Sequence, residues 1–137
     1  MQRTLILATV AALVSFTDLA QAADAQAMSW QQGLSRTDLI HQDLGDADHE
    51  VLQARIDFDP GVAAPRHAHP GVEVAHVLSG TLEYQLEGQP AVTLKAGDSL
   101  FIPAGVAHVA KNVGQEQGVE LATYVVKKGQ PLLELKP

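Results

Sequence analysis

The chain is 137 residues long, carries a net charge of −7 and contains no cysteine. That length fits one domain with a single core, and the charge argues against nucleic-acid binding, which needs a clustered basic face. The missing thiols exclude disulfides, thiolate metal sites and cysteine nucleophiles. Hydrophobic residues make up 46% of the chain and charged residues 18%, ordinary values for a soluble globular protein. Seven prolines and eleven glycines, set mostly between short apolar runs, favour many turns over long helices.

Arg3 precedes an apolar run from Leu5 to Phe16, and Ala20-Gln21-Ala22 follows it. This is the order of a secretory signal peptide: a positive start, an apolar stretch and a small-residue cleavage site. The run is shorter than the roughly 20 residues that span a bilayer, and Asp18 closes it early. Residues 1–22 are therefore expected to be a signal peptide cleaved after Ala22. The mature protein would be periplasmic or secreted, with no membrane association after cleavage.

Residues 23–50 are expected to form an N-terminal arm and an edge strand. Asp24 to Ser35 is polar and aperiodic, with Trp30 as a packing anchor, and Leu39 to Leu44 reads as a short edge strand. His41 and His49 sit in turn-like surroundings and read as surface residues. Asp46-Ala47-Asp48-His49-Glu50 is rich in oxygen donors but lacks the glycine and distant glutamate of a calcium loop.

From Val51 the hydrophobic period is two, and residues 51–137 are expected to form an all-β barrel. Val51, Gln53, Arg55 and Asp57 alternate with Leu52, Ala54, Ile56 and Phe58, a half-buried strand that ends at Asp59-Pro60-Gly61. Further short runs follow at 73–79, 81–87, 91–95, 99–102, 108–112 and 120–126. Turn signals separate them, among them Ser79-Gly80, Glu87-Gly88-Gln89-Pro90, Ala96-Gly97-Asp98 and Pro103-Ala104-Gly105. Short strands at this spacing predict a sandwich or jelly roll and not a parallel α/β sheet.

His67 and His69 are two apart, so on a strand both imidazoles share a face, and Glu73 returns with the same parity after the turn at Pro70-Gly71. His108 comes from a separate strand after another proline–glycine turn. Three imidazoles and a carboxylate suit a divalent first-row ion: Fe, Mn, Ni, Cu, Co or Zn. Four protein ligands on a six-coordinate ion leave positions open, the arrangement of a reactive centre and not of a closed structural one.

These residues resemble the cupin family. Gly61, His67, His69, Glu73 and Gly80 match its first motif, Gly-x5-His-x-His-x3-Glu-x6-Gly. Gly97, Pro103, Gly105, His108 and Asn112 match its second, Gly-x5-Pro-x-Gly-x2-His-x3-Asn. Sixteen residues separate the two motifs, the compact spacing of small bacterial cupins. The likeness reaches outward from Arg36-Thr37-Asp38-Leu39 to Lys128-Gly129-Gln130-Pro131, over nearly all of the mature chain, and matches small exported single-domain cupins. It implies a double-stranded β-helix, the cupin jelly-roll barrel, with His67, His69, Glu73 and His108 as metal ligands. Cupins commonly dimerise, so it also implies a homodimer; a monomer whose apolar C-terminal run 131–137 folds back on its own barrel is equally compatible.

Related sequences usually carry an aromatic residue where His76 stands. Strand parity sends Val74, His76 and Leu78 away from the face that holds Glu73, Ala75 and Val77, so His76 is expected to point outward. Ala75, Val77, Phe101 and Ile102 are the expected pocket wall, which would favour a small, partly apolar ligand. Lys95, Lys111, Tyr84 and Tyr124 read as packing or solvent positions.

The function expected first is that of a metal-dependent oxidoreductase of the dioxygenase kind. It would act on a small oxygen-ligating organic substrate, with Glu73 both as ligand and as the catalytic carboxylate that accepts the substrate proton. A non-catalytic periplasmic protein that binds a metal or a small ligand is the alternative. Isomerase or lyase chemistry is a third. No second acid or base announces itself in the sequence.

Overall fold

A computed structural model describes residues 32–137. The expected signal peptide, its cleavage after Ala22 and the anchor Trp30 lie outside the described residues. Ten strands and no helix make up the described chain. They are β1 (Leu34–Asp43), β2 (His49–Phe58), β3 (His67–Ala68), β4 (Val72–Ser79), β5 (Thr81–Leu86), β6 (Val92–Lys95), β7 (Ser99–Ile102), β8 (His108–Asn112), β9 (Gly118–Lys127) and β10 (Glu134–Leu135). They form two antiparallel five-stranded sheets, in the orders β1-β2-β9-β4-β7 and β10-β3-β8-β5-β6.

The alternation read in the sequence becomes the division between interior and solvent. On β9, Glu120, Ala122, Tyr124 and Val126 are buried, while Leu121, Thr123 and Val125 lie on the outer side. On β4, Glu73, Ala75 and Val77 are buried and Val74 and Leu78 are exposed. The core lies between the sheets, built from Phe58, Ala75, Val77, Leu82, Tyr84, Leu86, Leu94, Ile102 and Ala110. His76 points outward as parity requires, and its Nδ1 is hydrogen-bonded to Ser99 Oγ at 2.8 Å.

Three expectations need correction. The edge strand is longer than Leu39–Leu44: β1 begins at Leu34 and pairs with β2 from Phe58 back to Glu50, with an irregularity between Asp38 and Ile40. Polar Ser35-Arg36-Thr37-Asp38 gives no apolar period, yet the free edge of β2 offers a full row of backbone partners that such residues can satisfy. Second, Phe101 is 57% exposed. It is adjacent to buried Ile102, and neighbours on a strand face opposite ways, so the two could not share one wall. Third, Ala75, Val77 and Ile102 are buried in the packed core and do not border the cavity described below.

Two close approaches fix the ends of the barrel. A Cβ on Gly71 would run into the Val125 carbonyl oxygen, so only glycine lets β4 start against β9. Asn112, fully buried at the end of β8, donates through Nδ2 to the carbonyls of Phe58 (3.0 Å) and Glu116 (2.7 Å). Its Oδ1 accepts from the Gly114 amide at 2.9 Å. One side chain thus ties the end of β2 to the β8–β9 turn.

The C-terminal run covers its own barrel: β10 pairs with β3, Glu134 opposite Ala68 and Leu135 opposite His67. Leu132 packs against the cluster of Ala122, Tyr124 and Val126.

The Asn112 clamp makes a specific forecast. Aspartate can still accept from Gly114 but cannot donate to the two buried carbonyls. Asn112→Asp is expected to lower stability at least as much as Asn112→Ala, by about 2–4 kcal/mol in urea unfolding. An Asn112→Asp protein as stable as its parent would contradict the clamp.

Candidate metal centre

His67 and His108 are direct cross-strand partners on β3 and β8, which sets their rings 4.3 Å apart between centroids. His69 follows β3 immediately, its ring 5.3 Å from that of His108 and 4.7 Å from that of Tyr124. Glu73 reaches in from β4 of the other sheet, where it is paired with Tyr124 on β9. All four of these site residues are buried. The sequence-predicted set is therefore brought together at one point between the sheets.

The hydrogen bonds of the rings determine which atoms face that point. Nδ1 of His67 bonds to the Pro65 carbonyl (2.7 Å), Nδ1 of His69 to the Leu132 carbonyl (2.7 Å) and Nδ1 of His108 to the Val106 carbonyl (3.0 Å). A carbonyl can only accept, so each Nδ1 carries the proton, and a neutral imidazole then presents a bare lone pair at Nε2. Burial and the neighbouring His108 lower the pKa of His67 to about 4, in spite of the bond to Pro65, so His67 is neutral near pH 7.

Glu73 Oε2 lies 3.0 Å from His69 Nε2 and 3.2 Å from His108 Nε2. Burial pushes the Glu73 carboxyl up, but the neighbouring His108 and His69 rings outweigh it and hold the group below the usual carboxylate range. Despite the short separation, His69 Nε2 and Glu73 Oε2 have no hydrogen-bond partner among the described residues. They lie side by side, and neither is aimed at the other.

Acceptor atoms brought this close without a proton between them repel unless a cation lies at their focus. Two donors about 2.1 Å from one ion and at right angles to each other stand about 3.0 Å apart, which is the spacing found here. The donor atoms of His67, His69 and His108 lie within 4.8 Å of one another. The donor set fits a divalent first-row ion: His67, His69 and His108 can hold it, each oriented from behind by a backbone carbonyl.

A cavity of about 390 Å³ opens off this cluster. Its apolar wall includes Leu34, Ile56, Phe58, Ala64, Ala110 and Leu133, and its polar wall Arg36, Glu73, Tyr84, Glu120 and Tyr124. Arg36 gives Nε to Asp38 at 2.7 Å and sets its guanidinium over the Tyr124 ring, 5.7 Å from the centroid.

Tyr84 and Tyr124 pack in the two core clusters, as their strand positions predict, and both also form part of the cavity wall. Burial, then the nearby Glu120 carboxyl for Tyr84 and the nearby Glu73 carboxyl for Tyr124, raise both phenols far above their usual range. Glu120 was missed altogether. It is buried on β9, and burial followed by the charge of Glu73 raises its pKa well above the ordinary value. The signal was present: one acidic residue at the inward parity of an otherwise apolar strand, Gly118-Val119-Glu120-Leu121-Ala122. Arg36 gave no comparable signal, because only the pairing of β1 with β2 brings it to the cavity.

A family model described as Cupin domain matches residues 54–129. Among curated proteins, the chain is similar to germin-like protein subfamily 2 member 2 of Arabidopsis thaliana, 36% identical over 79 residues, or 54% of this chain and 36% of that protein. It is also similar to the dimethylsulfoniopropionate lyase DddQ of Ruegeria pomeroyi, 37% identical over 63 residues, or 45% of this chain and 31% of the other. The aligned part thus spans about a third of the length of these curated relatives. Among solved structures, a recombinant oxalate oxidase in complex with glycolate superposes with a TM-score of 0.61 at 26% identity, covering 75% of this chain and 55% of that one. With the match running from β2 to the end of β9 and enclosing all three clustered histidines, the chain belongs to the cupin family.

Proposed function

We propose that this cupin is an exported, metal-dependent enzyme that performs oxidoreductase chemistry, of the dioxygenase kind, on a small organic substrate that binds through its oxygen atoms. The observation that carries this reading is the convergence of three Nε2 lone pairs, each fixed by an Nδ1–H bond to a backbone carbonyl, at the end of a 390 Å³ cavity. Similarity to an oxalate oxidase structure supports the oxidoreductase part.

His67, His69 and His108 hold the ion, and Glu73 is the fourth ligand, by virtue of its 3.0 and 3.2 Å approaches to His69 and His108. A redox-active divalent ion in this cage would polarise a substrate oxygen and exchange electrons with it. Glu73, kept ionised, accepts the substrate proton. Arg36, the one cationic side chain among the described lining residues apart from the histidines, attracts an anionic group into the cavity. Leu34, Ile56, Phe58 and Leu133 exclude water around the reacting atoms.

A lyase reading has its own support. Glu120 and Tyr84 add acid–base groups beside Glu73, and DddQ is among the similar proteins. The identity of the metal separates the two readings, because zinc cannot supply redox chemistry.

Elemental analysis of protein recovered from the periplasmic fraction is expected to find about one equivalent of Fe, Mn, Ni, Cu or Co per chain, and His108→Ala to lose most of it. A protein without metal, unchanged by His108→Ala, would end the metal-centre reading, and recovery from the cytoplasm alone would end the export reading. Oxygen uptake by the loaded protein with catechols, flavonols and acireductones is the direct assay. There, Glu73→Gln is expected to cut turnover by about 10²- to 10⁴-fold. Tight binding of such compounds without oxygen uptake or product would instead indicate a binding protein.

A further inference from the structure

Two polar atoms on the cavity wall stand beside the metal cage without belonging to its ligand set. Glu120 Oε1, from β9, and the Tyr84 hydroxyl, from β5, are buried and have no hydrogen-bond partner among the described residues. Glu120 is 4% exposed and Tyr84 is 1% exposed. The two groups come from opposite sheets and meet in the cavity, near enough to act on each other electrostatically but not aligned as a donor–acceptor pair. A polar atom buried without a partner is costly, and here two such costs fall at the same place. Nothing in the packing demands either group: phenylalanine would fill the Tyr84 site, and Ala122, Tyr124 and Val126 show that β9 otherwise turns uncharged side chains inward. Paired orphans on a cavity wall are what a site looks like before its ligand arrives.

Their chemistry is specific. A carboxyl oxygen accepts, and a phenol donates. A substrate hydroxyl satisfies both at once, donating to one and accepting from the other. On the same wall Arg36 supplies the positive charge that suits a carboxylate, and Leu34, Ile56 and Leu133 supply apolar surface.

We propose that Glu120 and Tyr84 form a hydroxyl-reading subsite that selects a small hydroxycarboxylate with an apolar substituent. The substrate hydroxyl donates to Glu120 Oε1 and accepts from the Tyr84 hydroxyl. This deepens the metal-enzyme reading and rests on it, since the selected compound is the one presented to His67, His69, Glu73 and His108. A site built to bond a hydroxyl rejects the analogue that lacks it, because the analogue leaves the buried partners unpaired.

The test is a cycle between a ligand hydroxyl and a protein group, with mandelate and phenylacetate as probes, since they differ only in that hydroxyl. Calorimetric titration of the metal-loaded parent protein is expected to favour mandelate. In Tyr84→Phe and in Glu120→Gln the preference is expected to shrink by about three- to tenfold, with metal content unchanged. Tyr84→Phe, which removes an orphaned hydroxyl, is also expected to raise the melting temperature of the ligand-free protein while it weakens selection; it keeps the test decisive should Glu120→Gln fail to fold.

A preference that stays constant across all three proteins would show that the hydroxyl is read by the metal alone and would overturn the proposal. Equal binding of the two probes by the parent protein would do the same, as would loss of metal in Tyr84→Phe. A parent protein that holds no metal would refute the reading of the centre itself, whereas a loaded parent with an unaltered preference refutes only this subsite.

Discussion

Each of the three clustered histidines donates its Nδ1 proton to a backbone carbonyl, and those three bonds are the constraint on which the centre depends. If an acceptor moved, the ring could turn or change tautomer, and the Nε2 lone pair would no longer be held toward the focus. The carbonyls belong to Pro65, Val106 and Leu132, three separate segments, so the barrel as a whole serves to hold three oxygen atoms in place. Gly71 and Asn112 make sense in this light: one permits the close start of β4 that brings in Glu73, and the other locks the turn beyond His108.

The cavity contains two carboxyls of opposite character. Glu73 faces imidazoles and is held low; Glu120 is buried, faces Glu73, and is pushed high. Environment alone separates them, since the residue type is the same. Two neighbouring buried carboxyls resist ionising together, so their affinities for a proton are driven apart.

The cage was legible in the sequence because each half of it is local. His67, His69 and Glu73 lie within one turn-containing segment, and the glycine and proline spacing around His108 is equally compact, so parity and turn chemistry suffice to orient them. The cavity wall was not legible for the opposite reason. Glu120 and Tyr124 on β9, Tyr84 on β5 and Arg36 on β1 lie on three strands that become neighbours only through sheet order, and a single strand pattern shows a side facing inward without showing what it faces. Phe101 illustrates a narrower failure: it and Ile102 were assigned to one wall although adjacent strand residues diverge. The length of β1 escaped because its pairing is set by the open edge of β2 and not by its own polar residues.

The bond from His69 to the Leu132 carbonyl joins groups 63 residues apart. That separation has a kinetic meaning. Contacts that close large loops form late, after chain entropy has been lost elsewhere, and antiparallel barrels with such contacts are among the slower topologies to fold. Until β10 lies against β3, His69 has no acceptor, and the donor set is two imidazoles and a carboxylate with a loose third ring. In the proposed metal enzyme, tight capture of the ion would await that closure, and its free energy would then add to the stability of the completed fold.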